Sequence, residues 1–243
     1  MTDRSDLQDL APAGILRGGV VVSPTASVFF AINDGNAPRG VTVDLITAFA
    51  ESVKLPLALQ VFPNSGELTN AVARGDCDVA FMPRDATREK LVDFGPAYYM
   101  IESTFLVPAG SPIRSLGDAN FPSVRAIVIA STTTARSAAR FLTKGTTQEV
   151  RTVDEMAAMA KAGDGDLFAL SRDAFATLLP ILPGARVLEG GFQHTGIASA
   201  APKGRARALR LFGDFVERAK SSGLVRRALD RAGFSDAEVA PPA

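Results

Sequence analysis

The sequence predicts an α/β protein in two lobes, each with a mostly parallel sheet flanked by helices. Three observations carry this. Short apolar segments alternate with amphipathic ones along nearly the whole chain. Pro108-Ala109-Gly110-Ser111-Pro112 has the composition of a connector and divides the pattern into two βα-rich halves. At 243 residues the chain is also longer than one average domain.

The elements follow from periodicity. Gly19 to Ser23 reads as the first strand, and Asn33-Asp34-Gly35-Asn36 as a turn of residues that tolerate positive φ. From Asp44 to Val53, Leu45, Ile46, Phe49 and Val53 form one helical stripe. Leu57 to Phe62 alternates as a strand, a helix begins at Ser65 and stops at Gly75, and Asp78 to Met82 is a buried strand. Ala86 to Leu91 is expected to be a short helix, followed by strands at Thr104–Val107 and Ala126–Ile129. Helices are expected at 134–142 and 153–162, and strands at 167–170, 186–188 and 195–198. Two helices, about 205–220 and 224–231, close the chain with a basic, solvated outer face, and Pro241-Pro242-Ala243 is expected to fray.

Composition removes several function classes. Lys plus Arg (26) balance Asp plus Glu (26), which argues against a nucleic-acid binder. No apolar run reaches the roughly 20 residues of a bilayer span, so no membrane insertion is expected. One cysteine, Cys77, permits no internal disulfide, and with the single histidine, His194, it makes no zinc site. No metal or cofactor is expected. Any Ser-His or Cys-His chemistry would have to use His194.

Four stretches resemble the family 3 extracellular solute-binding proteins, the amino-acid receptors of ABC importers with the type II periplasmic-binding-protein fold. These are Gly40-Val41-Thr42-Val43-Asp44-Leu45; Asp78-Val79-Ala80 with Arg88 to Phe94 and Tyr98-Tyr99; Thr195 to Ala198 with Pro202-Lys203-Gly204; and Ser222-Gly223-Leu224. They span about 14–233. The resemblance implies a first lobe of 1–102 plus 194–243 and an inserted second lobe of 103–193. It also implies a two-strand hinge and a ligand cleft between the lobes that closes on binding.

The resemblance further implies which residues hold the ligand. Arg88 matches the arginine that clamps a ligand carboxylate, a task suited to a planar guanidinium that stays charged. Thr132 and Thr133 open the first helix of the second lobe, where unpaired N–H groups favour an anion. Capping of that helix by Ser131 or a threonine is the competing reading. Ser131 stands where the family has glycine, and the loop from Asp78 to Arg88 is shortened. Counting on from Asp166, the position where amino-acid receptors place an aspartate for the ammonium group is Ser171, followed by Arg172 and Asp173. Arg172 would favour a second acidic group. Ser27 and Ser65 stand near the positions of the usual stacking aromatic side chain.

The expected function is therefore capture of a small carboxylate, an amino acid or related organic acid, as the binding component of an ABC importer. The expected partners are that ligand and the importer's membrane subunits, with the receptor itself a monomer. The alternative is a cleft enzyme on the same fold, a cyclohexadienyl-dehydratase-like lyase, with Glu67, Glu102 and His194 as the acid or base candidates. Location is expected to be periplasmic if a leader has been trimmed, and cytoplasmic if the sequence is complete.

Overall fold

A computed structural model describes residues 4–23, 27–33, 35 and 37–243. The chain begins with α1 (Arg4–Leu10), β1 (Leu16–Val21), α2 (Val41–Val53), β2 (Leu57–Phe62), α3 (Ser65–Arg74) and β3 (Val79–Pro83). The long β4 (Val92–Val107) follows, then β5 (Arg125–Ile129), α4 (Thr133–Phe141), β6 (Thr146–Val150) and α5 (Val153–Ala162). β7 (Leu167–Ser171), α6 (Phe175–Leu178), β8 (Arg186–Val187), β9 (Gln193–Pro202), α7 (Ala206–Ser221) and α8 (Leu224–Arg231) complete it. Two compact units result, Met1–Met100 with Gly196–Ala243, and Ile101–Thr195.

The chain passes between the units inside β4 and inside β9. Pro108 to Pro112 is therefore not the connector its composition suggested. It is a turn after β4, inside the second unit. A hydrogen-bonded strand can carry a crossing without proline or glycine, so composition points to the wrong place.

In the first unit the strand order is β2-β1-β3-β9, with β4 next. β1 is parallel to β2 and β3, while β3 is antiparallel to β9. In the second unit β5 is parallel to β6 and β7, while β4 is antiparallel to β7 and β8. The pairing within each unit is thus mixed, parallel among β1, β2 and β3 and among β5, β6 and β7, with β9 antiparallel to β3 and β4 antiparallel to β7 and β8.

The first unit packs α2 and α3 against β1 through two glycines. A Cβ at Gly18 would lie 2.6 Å from Ile46 of α2, and one at Gly19 would strike Leu68 of α3. Phe49, Phe81 and Phe212 stack at centroid distances of 4.7 and 4.9 Å, and Tyr98 meets Phe81 edge-on. In the second unit alternate strand residues feed opposite faces of the sheet. Phe105, Ala126, Val128 and Ala169 pack with Ala135 and Ala138 of α4, whereas Leu106, Ile127, Ile129 and Phe168 pack with Met156 of α5. This two-sided burial is why these strands read as unbroken apolar runs.

Charged staples fasten the ends of the first unit. Asp78 is fully buried, and accepts from Arg17 Nε at 3.0 Å, Arg17 Nη2 at 2.6 Å and Arg205 Nη1 at 3.1 Å. The hydrogen bonds from Arg17 to Asp78 raise the arginine's pKa. Asp93 accepts from Lys203 Nζ at 3.2 Å and from the Gly204 N–H at 3.0 Å, joining two of the sequence motifs. Arg210 pairs with Asp6, and Arg231 with Asp44. Much of the basic face expected on the last helices is therefore tied to other elements rather than simply solvated. The tail is also tied: Val239 bridges Tyr99, the Ala240 N–H donates to the Tyr98 carbonyl at 2.9 Å, and Lys220 bonds the Pro241 carbonyl.

Four elements escaped the sequence reading, the short helix α6 among them. α1 is polar, and is placed by Asp9 accepting from the Ala208 N–H at the start of α7. β6 is a polar edge strand, and the first part of β4 carries Gly95 and Pro96. The short helix expected at 86–91 is a single 3₁₀ turn, Arg88–Lys90. In the expected turn at 33–36, Asn33 Oδ1 accepts from the Gly35 N–H, while Asp34 and Asn36 lie outside the described residues.

Candidate functional site

Within each unit the candidate residues follow the carboxyl ends of parallel strands, where open α/β sheets bind ligands. In the first unit Ser65 follows β2 and Arg88 follows β3. In the second, Thr132 and Thr133 follow β5, while Ser171 ends β7 and Arg172 comes next.

Arg88 is only 2% exposed. Asp85, after β3, bends the chain: its Oδ1 accepts from the Thr87 and Arg88 N–H groups at 2.9 and 2.8 Å. That Asx turn aims the Arg88 side chain back into the unit. Nη1 donates to the Pro83 carbonyl at 2.8 Å, and Nη2 to the Ser65 hydroxyl at 2.6 Å. Backbone and side-chain acceptors together therefore orient the guanidinium plane. Arg84 points elsewhere and pairs with Glu89 at 2.6 Å on the surface.

Ser65 is 3% exposed and opens α3, next to the capping residue Asn64. Asn64 Oδ1 accepts from the Glu67 N–H at 2.9 Å and its Nδ2 donates to Glu67 Oε1 at 3.3 Å, which places Glu67 at the exposed helix end. Ser27 also turns inward on its own loop. Its hydroxyl accepts from the Phe29 and Phe30 N–H groups at 3.0 and 2.8 Å, so it stabilises a turn rather than presenting a free polar tip.

In the second unit Thr132 is the N-cap of α4. Its hydroxyl accepts from the Ala135 N–H at 3.0 Å and donates to the Ile129 carbonyl at 2.8 Å. Both of its main hydrogen-bonding roles are thereby taken, and the capping reading holds for this residue. Thr133, 2% exposed, is the first helical residue. Ser131, where the resemblance places glycine, adopts φ 59°, a left-handed conformation that glycine takes without strain. The helix start meets β4 through Thr134, whose hydroxyl lies 3.1 Å from that of Ser103, and Ser103 is paired with Ser171 in the sheet.

Arg172 does not stand as an uncommitted cation. It is bonded to Glu102 and donates to the carbonyls of Leu188 at 3.0 Å and Gly190 at 2.8 Å. Glu102 Oε1 also lies 3.3 Å from Nε2 of His194, whose side chain is 64% exposed. The sequence offers Glu102 and His194 only as separate candidates, 92 positions apart. Their meeting depends on β4 and β9, and no local motif announces it. Asp173 is in the 3₁₀ turn Arg172–Ala174.

Cys77 is buried, and burial pushes its thiol up to about 12, which excludes a thiolate nucleophile near neutral pH. Among the described residues no three His, Cys, Asp or Glu side chains gather as a metal site, and no helix is long and apolar enough to cross a membrane.

The model of the bacterial extracellular solute-binding proteins, family 3, matches residues 19–232. The chain belongs to this family. As a solute-binding protein it has many structural relatives. An ancestral amino acid-binding protein, AncCDT-1, a precursor of cyclohexadienyl dehydratase, is 21% identical with a TM-score of 0.78, over 93% of this chain and 98% of its own. A mutant of ArgBP from T. maritima is 15% identical with a TM-score of 0.81, over 94% and 99%. AbpA from Streptococcus pneumoniae, an amino acid ABC transporter substrate-binding protein bound to L-arginine, is 17% identical with a TM-score of 0.80, over 95% and 99%. At these identities the likeness establishes the type II periplasmic-binding-protein fold. No curated protein sequence matches the chain.

Proposed function

We propose that this protein is a receptor for a small carboxylate, an amino acid or related organic acid, and serves as the binding component of an ABC importer. The observation that carries the reading is the Arg88 guanidinium, 2% exposed and oriented by Ser65 and Pro83 beyond the carboxyl end of β3. A planar fork held in one orientation loses little entropy on gripping both oxygens of a carboxylate. Thr133 and the amide groups at the start of α4 supply anion-favouring donors from the second unit. Capture proceeds by hinge closure, and a thousandfold preference for the closed state corresponds to about 4 kcal/mol.

The expected ligand differs from a simple α-amino acid in what it offers near Ser171. A hydroxyl cannot replace a carboxylate as an ammonium partner, and Arg172 is already bonded to Glu102. A thermal-shift screen of amino acids, dicarboxylates and aromatic acids tests the reading. Ligand at ~100 times its dissociation constant stabilises by roughly 2.7 kcal/mol. Arg88→Lys keeps the charge but loses the fork, and is expected to abolish most of that shift. Full stabilisation in this variant would remove Arg88 as the clamp.

A second reading, a cleft enzyme of the lyase type, draws on one observation, the Glu102–His194 approach at 3.3 Å. A carboxylate that orients an exposed imidazole makes a usable general base. Turnover in the same screen, lost in His194→Gln and reduced in Glu102→Gln, would favour it. Ligand recovered unchanged after long incubation favours the receptor.

A further inference from the structure

The second unit contains a cavity of about 310 Å³ that the reading above does not use. Its walls come from four separate segments. The turn after β4 gives Pro108 and Ala109, the end of α5 gives Ala160 and Lys161, β7 gives Phe168, and the stretch before β8 gives Ile181. The connector-like Pro-Ala-Gly-Ser-Pro segment thus has a structural task of its own, walling a pocket. The turn opposite is seated on it closely: a Cβ at Gly184 would lie 2.9 Å from that of Ala109.

The lining is apolar apart from Lys161. Ile181 is 44% exposed, too much for a side chain that merely completes the core. The other nearby cation, Arg186, is committed to the carbonyls of Ser111 and Ile113. At the end of α5 the Gly163 and Asp164 N–H groups donate to the carbonyls of Ala160 and Met159. The pocket therefore offers an apolar body bordered by the exposed Lys161, with no ion pair to Lys161 among the described residues.

We infer that this cavity is an accessory binding site for an amphipathic monoanion, a carboxylate on an aliphatic or aromatic body, with the body inside and the carboxylate against Lys161. Small-molecule sites have this character, an apolar enclosure with very few placed polar groups. The inference is independent of Arg88.

Octanoate and octylammonium, titrated separately into the full ¹⁵N-labelled chain, test it. Octanoate is expected to shift the amides of Ala109, Ala160, Gly163 and Ala185 saturably, and octylammonium to do so far more weakly. Lys161→Glu should weaken octanoate roughly tenfold, since an exposed charge contact is worth several-fold and reversal about doubles its logarithm. Ala160→Leu, which fills the cavity, should remove the shifts while the rest of the spectrum stays native. Octanoate shifts confined to the surroundings of Arg88, equal binding of octylammonium, or unchanged affinity in Lys161→Glu would each overturn the assignment.

Discussion

Arg88 donates to the Ser65 hydroxyl at 2.6 Å, and this bond ties the residue that opens α3 to the turn that follows β3. Both side chains are almost fully buried. Removing either one breaks this bond inside the protein, where compensation by water is limited. Ser65→Ala is expected to cost about 2 kcal/mol of stability by urea denaturation. It should also weaken the ligand-induced thermal shift by removing one of the bonds that orient the guanidinium. Arg88→Ala should cost more stability than Ser65→Ala, so the ligand experiment is better done with Arg88→Lys.

Asp78 is the most demanding charge in the first unit. It is wholly inside, and two arginines from distant parts of the chain converge on it. Asp78→Asn keeps the shape but removes the countercharge, and a loss of about 3 kcal/mol is expected. The arginine side chains retain some solvent contact, 30% and 24%, so they relax outward rather than unfold the unit. A loss below about 1 kcal/mol would mean that the staple contributes no more than a surface pair.

The Cys77 thiol gives a pH dependence with a definite sign. Burial disfavours the thiolate, so the folded group titrates near 12 while the unfolded one titrates near 9.0. Between these values the unfolded chain has lost its proton and the native chain has not. Stability should therefore fall as pH rises above 9, by at most about 1.4 kcal/mol per pH unit from this group. Comparing wild type with Cys77→Ala across pH 8 to 11 isolates the slope. In the native protein the thiol should react slowly with a disulfide reagent at pH 8, and rapidly once denatured.

Lys54 and Ser131 are non-glycine residues with positive φ, 57° and 59°. Lys54 ends α2 as a left-handed cap, a position that favours glycine. Lys54→Gly should raise stability by roughly 0.5 kcal/mol, the relieved strain exceeding glycine's extra unfolded-state entropy. Ser131→Gly should behave likewise at the start of α4. A fall in melting temperature for both would show that their side-chain contacts outweigh backbone strain.

What could be read from the sequence alone was mostly short-range or bound to a motif. The stripe of Leu45, Ile46, Phe49 and Val53 is visible because helix contacts recur every three to four residues. The two-sided burial of β5 and β7 is visible because it leaves uninterrupted apolar runs. Asp93 and Lys203-Gly204 belong to motifs whose order signals the family, although nothing local says that they touch.

Tertiary structure decided the rest. The crossings between units, the polar strand β6, the burial of Arg88 and the meeting of Glu102 with Arg172 and His194 all depend on pairing between segments far apart in the chain. Pro108 to Pro112 looked like a linker because composition reports only local backbone preference, whereas a domain crossing is set by which strands bond to which. The same limit separates Thr132 from Thr133. Two adjacent residues of one type look alike in the sequence, and only the backbone geometry shows that the Thr132 hydroxyl is the one that caps α4.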